Sequence, residues 1–240
     1  MQLISTAGGA LRRRKINPIV PTRPRVWSGA LSALADLFPD DGLRSGAVHE
    51  IFGAGGAAPW SFALLLAHAA ANVSPRRSAI VWSDPRGELY PPALSGALAM
   101  RNLFLLRAGE PAEELWALAQ CMRSPAVAAT VASPSRLGDL EARRLQLAAE
   151  QGGGVGLLIR RHDDRSRAHY AAATRWLVQP APGDSLVQRW SVQLIHGHGG
   201  KIGKNIFLEI CRDAFHPNHV RAVDAVGDRS DSAPAAKASA

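Results

Sequence analysis

The chain has 240 residues, 47% of them hydrophobic, and 28 Lys and Arg against 20 Asp and Glu for a formal charge of +8. That length can bury a core and suits one domain with extensions; no run approaches the ~20 apolar residues of a membrane span, and the basic start leads into prolines rather than a secretory apolar segment. Cys121 and Cys211, with no CxxC or CxxH spacing, argue against a disulfide framework or a zinc site, so the expectation is a soluble cytoplasmic protein without a metal.

Residues 1–27 hold six basic residues and no acid, with Pro18, Pro21 and Pro24 interrupting any periodicity. They read as an extended basic arm. An amphipathic helix is expected over 29–37, followed by a turn at 39–42. A strand over 47–52 then leads through glycines to a helix over 59–72. Strands at 78–82 and 103–106 flank a helix at 89–99. Glu110, Glu113 and Glu114 suit the positive end of a helix over 112–123. A strand at 127–132, a helix at 135–151 and a strand at 155–159 complete the alternation, with Gly152, Gly153 and Gly154 stopping that helix. Strand and helix alternating in this way predict an α/β domain, a mostly parallel sheet flanked by helices. Three more strands, at 175–179, 189–195 and 206–210, lack intervening helices and predict an antiparallel extension. The domain plan is thus an arm over 1–27, a core over 28–210 and a tail over 211–240, with disorder expected from about 227.

Charge is unevenly spread along this plan. Residues 160–221 carry ten basic residues and five acids. With the arm, this favours an anionic partner, nucleic acid first, against the alternative of a solvated basic surface.

The stretch from Gly42 through Gly46 and the strand 47–52 to Gly53 resembles the approach to the nucleotide site of the RecA family. A phosphate loop needs glycines whose backbone N–H groups wrap phosphate, a lysine on the β/γ-phosphates and a Ser/Thr on Mg²⁺. Counted from Gly53, the second glycine becomes Ala58, the lysine Pro59 and the hydroxyl residue Trp60. Proline removes a backbone donor, and tryptophan cannot ligate a cation. Asp84 falls where the RecA family carries the carboxylate that activates water, and equally suits capping a turn before Pro85. Ala132 stands where the fourth strand normally ends in a Mg²⁺-binding aspartate. Gly53, Ala58, Pro59, Trp60, Asp84 and Ala132 therefore read as a vestigial nucleotide site, with no catalytic residue and no cofactor. Trp60 is the tryptophan expected to fill the vacated space.

A narrower resemblance rests on the basic arm with its helix, on Gly42-Leu43-Arg44-Ser45-Gly46-Ala47-Val48-His49-Glu50, and on the segment from Arg189 and Trp190 to Gly199, Gly200 and Lys201. Together these resemble the ImuA family, RecA-like accessory proteins of bacterial error-prone mutagenesis that are also described as SulA-like. The resemblance implies a non-catalytic scaffold for damage-induced translesion synthesis, cytoplasmic and nucleoid-associated. It implies as partners an inactive Y-family polymerase homologue, an error-prone C-family polymerase and RecA. His196, His198, Lys204 and Asn205 depart from the family pattern around the final turn.

Candidate DNA contacts are Arg160, Arg161, Arg165 and Arg167, which follow the fifth strand, where an open α/β sheet offers its ligand crevice, together with Lys201 and Lys204. A salt-bridged surface with Asp163 and Asp164 is the competing reading. Arg12, Arg13, Arg14 and Lys15 are candidate partner contacts. His162, His169, His196 and His198 lack a converging ligand cluster and read as turn histidines. Two rival functions remain: an atypical RecA-like ATPase acting on DNA, separated by nucleotide binding, and a SulA-like division inhibitor, separated by co-purification.

Overall fold

The computed structural model describes residues 26–27, 33–34, 37–38, 42–73, 76–90, 94, 102–167, 171–183, 187–197, 201–211 and 220–223. The expected helices at 29–37 and 89–99 fall almost wholly outside them, as do the basic residues of the arm and the stretch past 223.

Two short strands, β1 (Val26–Trp27) and β2 (Leu43–Arg44), pair antiparallel. The arm's last two residues are thereby tied to the core. The main chain of elements then runs β3 (Ala47–Gly53), α1 (Ala58–Ala71), β4 (Ala79–Ser83), β5 (Leu103–Leu106), α2 (Pro111–Arg123), β6 (Val127–Ala132), α3 (Asp139–Gly152) and β7 (Val155–Arg161). A 3-10 turn at His162–Arg167 leads to β8 (Thr174–Ala181), β9 (Val187–Gly197), β10 (Asn205–Cys211) and β11 (Arg221–Val223).

Nine strands form one sheet in the order β11-β10-β9-β8-β3-β7-β6-β4-β5. From β8 through β3 to β5 every pairing is parallel; β8, β9, β10 and β11 pair antiparallel. The mostly parallel core and its antiparallel extension are those the alternation predicted. The extension gains β11, which draws residues assigned to the tail into the sheet.

The core explains α1. Ten of its residues are buried, including Phe62, Leu64, Leu65 and Leu66, and a helix apolar all round must be covered on both sides. The sheet covers one side. Leu34, Leu37 and Phe38 join the same cluster, with Phe38 edge-on to Trp176 at 5.6 Å between ring centroids. On the opposite face, α2 and α3 bury Leu118, Met122, Leu145 and Ala148 against Val48 and Leu158. Helix α3 starts at Asp139 rather than 135, because Gly138 is extended and serves as its N-cap. Carrying the helix through that glycine would cost about 1 kcal/mol.

Candidate functional site

Strand β3 ends at Gly53 on the edge of the sheet where the parallel strands all finish. The loop that follows turns on Gly55 and Gly56, whose φ values of 111° and 73° suit glycine alone. Helix α1 begins immediately after it with Pro59 in its first turn, a position proline tolerates because no helical N–H bond is lost. Pro59 packs on the strand end: a Cβ placed on Gly53 would lie 2.2 Å from the proline Cγ. Gly53 is thus required here by the proline ring. Trp60 stacks on Trp82 of β4, centroids 5.6 Å apart and planes 25° from parallel.

Asp84 follows β4 and is 5% exposed. Its carboxylate accepts hydrogen bonds from the backbone N–H groups of Glu88 (2.8 Å) and Leu89 (3.3 Å) and meets Arg107 at 3.4 Å. It caps the turn after Pro85, the simpler of the two roles its sequence position allowed. Beside it, Ser83 donates to the buried Glu114 at 2.6 Å. Ala132 is fully buried at the end of β6, and Ser133 donates to the Ile159 carbonyl at 3.1 Å.

The fold therefore brings Gly53, Ala58, Pro59, Trp60, Asp84 and Ala132 to one end of the sheet, but with different chemistry from a phosphate site. Trp60 divides the space rather than filling it. One hollow of about 370 Å³ lies between Trp60, Trp82, Asp84 and Leu89; a second of about 420 Å³ lies between the Gly53–Gly56 loop, Arg160, Arg161 and His162. Position 59 offers no cation, position 60 no hydroxyl and position 132 no carboxylate. The magnesium-nucleotide pair that the resemblance to the RecA family implies does not fit this donor set.

Upstream on β3, two adjacent polar residues are wholly buried. His49 is 0% and Glu50 1% exposed. The Thr174 hydroxyl lies 2.7 Å from His49 Nδ1, the Arg44 carbonyl 2.9 Å from Nε2, and Trp176 Nε1 donates to the same hydroxyl at 2.7 Å. A carbonyl only accepts, so Nε2 carries the proton and Nδ1 accepts from Thr174. Burial, with the Arg44 charge adding to it against the favourable carbonyl contact, lowers the His49 pKa to about 4. Glu50 receives Arg160 and Arg175, each at 3.1 Å.

No family model matches this sequence. Protein ImuA of Caulobacter vibrioides is 33% identical, the match covering 80% of this chain and 86% of that protein, in strain NA1000 / CB15N and in strain ATCC 19089 / CIP 103742 / CB 15 alike. The chain belongs to the ImuA family. A crystal structure of the RadB recombinase superposes with a TM-score of 0.61 at 13% identity, covering 82% of this chain and all of that one, which makes the fold RecA-like. ImuA membership ties the chain to DNA-damage mutagenesis.

In this ImuA-family chain the His-Glu pair of the glycine-flanked approach is structural: one residue orders a buried hydrogen-bond chain and the other holds two guanidiniums. In the sequence both marked the family resemblance and neither was given a role. The available signal was two polar residues inside a strand buried on both faces, since such groups must find partners.

The candidate basic residues do not form one patch. Arg160 is 8% exposed and committed to Glu50, with Asp164 3.9 Å away, whereas Arg161, paired in register with Gly53, is exposed. Arg165 and Arg167 lie on the 3-10 turn. Lys201 and Lys204 occupy the turn between β9 and β10, beside Gly197, which faces Thr174 at the start of β8. Register sets Asn205 level with Arg160, but β9, β8 and β3 lie between the lysine turn and the strand that ends in Arg160 and Arg161. Among the described residues no three His, Cys, Asp or Glu converge as a metal site, and no helix is long and apolar enough to cross a membrane.

Proposed function

We propose that the protein is a non-catalytic RecA-like accessory factor of damage-induced translesion synthesis. It holds together an inactive Y-family polymerase homologue, an error-prone C-family polymerase and RecA. The observation that carries the non-catalytic part is Pro59 seated on Gly53 with Trp60 stacked on Trp82 where a phosphate loop needs lysine and hydroxyl. Loss of one charge-stabilising group costs a phosphoryl-transfer enzyme orders of magnitude in rate, and three are replaced here. Purified protein is therefore expected to hydrolyse no ATP above background and to show no Mg²⁺-dependent nucleotide binding by calorimetry. Micromolar ATP affinity that weakens in Asp84→Ala would instead support an atypical ATPase.

The scaffold part rests on family membership and on the arm. Residues 1–25 contain Arg12, Arg13, Arg14 and Lys15 and too few apolar residues to fold alone. Because Val26 and Trp27 pair with β2, a truncation should begin after residue 25 to leave that ladder intact. The truncated protein is expected to melt as the full chain does, to capture fewer polymerase and RecA partners from damaged cells, and to support less induced mutagenesis. Undiminished capture and mutagenesis would remove the arm from the mechanism. Capture of division proteins in place of polymerases would favour the division-inhibitor reading.

A further inference from the structure

Strands β8 to β10 bury one face in the core through Trp176, Trp190 and Leu208. The other face is different in kind: Leu177, Gln179, Ser191, Gln193, Phe207 and Val223 are all part-exposed. Register places four of these in one row, Gln179 opposite Ser191, Ser191 opposite Phe207, and Phe207 opposite Val223. An aromatic ring thus sits in the middle of an antiparallel sheet face, among amide and hydroxyl side chains.

Both ends of that face are basic. Among the described residues of 171–223 there are five Lys and Arg and a single carboxylate, Glu209. Glu209 is 2% exposed and receives Arg189 from β9 and, at 2.9 Å, Arg221 from β11. Burial would raise its pKa, but the two guanidiniums outweigh burial and hold it below the usual carboxylate range. Two cations sharing one anion leave this clamp net positive, and the Arg221 side chain, 69% exposed, presents that charge at the surface. At the far end stands the exposed turn carrying Lys201 and Lys204, while Arg175 near it is held by Glu50 at 3.1 Å.

We propose that the part-exposed face of β8–β11 binds single-stranded nucleic acid, with a base stacked on Phe207 and phosphates reaching the basic groups at the strand ends. Charge selects a polyanion. The central ring selects an unpaired base over an acidic peptide, because stacking needs a π-face that a carboxylate chain lacks. Flanking amides and hydroxyls offer hydrogen bonds to base edges, the arrangement by which open sheets read single strands. This goes beyond the accessory reading, since it needs neither polymerase nor RecA and is tested on the protein alone.

The test is anisotropy titration of a labelled oligothymidylate with the purified full chain over a range of salt. Binding should fall steeply with salt. Phe207→Leu keeps the apolar contact and removes the ring, and is expected to weaken binding roughly fivefold or more. Arg221→Ala should reduce the log–log salt slope by about one. Gln179→Glu places a negative charge in the middle of the face, and its weakening carries the test should Phe207→Leu melt early. Absence of binding, or affinity and slope unchanged in all three variants, overturns the proposal. Displacement by polyglutamate as effective as by unlabelled oligonucleotide also overturns it, and assigns the face to an acidic protein segment.

Discussion

Glu50→Ala is expected to destabilise the protein by about 3–5 kcal/mol, a large part of the ~5–15 kcal/mol that a folded domain commands. Glu50 is 1% exposed, and the side chains of Arg160 and Arg175 that bond it are 8% and 13% exposed. Removing the carboxylate leaves two guanidiniums facing one another in a desolvated site, which costs far more than the intact cluster contributes over an apolar packing. Asp164, 36% exposed and 3.9 Å from Arg160, offers only a weak substitute. Glu50→Gln keeps the volume and part of the hydrogen bonding and should fall between wild type and alanine. Urea unfolding with tryptophan fluorescence measures the series. A loss below about 1 kcal/mol in Glu50→Ala would mean that water screens the cluster as it does surface pairs.

Acidification should destabilise the protein through His49. Folded, this imidazole has a pKa of about 4; unfolded, it returns to 6.5. Between those values the unfolded chain binds the proton and the folded chain refuses it, so stability falls as pH drops from about 6.5 to about 4 and is fully present above that window. The whole loss is about 3 kcal/mol. The structural cause is specific: Nδ1 accepts the Thr174 hydrogen bond, and a proton there would turn that acceptor into a donor and strip the Thr174 hydroxyl proton of its buried acceptor. His49→Gln should be less stable at pH 7 and should lack most of the change across this window. Glu209, whose folded pKa lies below 4.5, loses its contribution only below that value, so its effect appears at the acid end of the titration. Thermal melts at half-unit pH steps separate the two; an unchanged slope in His49→Gln would mean that the histidine is not the titrating group.

Neither His49 nor Glu50 could be given a role from the chain alone, and the reason is distance. Thr174 and Arg175 lie 125 residues away from them, and Arg160 lies 110 from Glu50. Period and propensity describe neighbours along the chain, whereas these contacts exist only because β3 lies between β7 and β8. The basic residues show the same effect in reverse. Arg161 and Lys201 were both candidate DNA contacts, but β3, β8 and β9 lie between the strand that ends in the arginine and the turn that carries the lysine. What the sequence by itself determined was local in origin. Alternating apolar runs and helical segments required a parallel sheet covered on both faces, and the residues at 59, 60 and 132 lack the cation, hydroxyl and carboxylate of a phosphate site wherever the loop came to rest. Only the tertiary structure decided that Trp60 stacks on Trp82, that Asp84 caps a turn, and that the last four strands keep one face part-exposed. Each of these depends on which surfaces meet, and burial is a property of the packed sheet rather than of any segment in it.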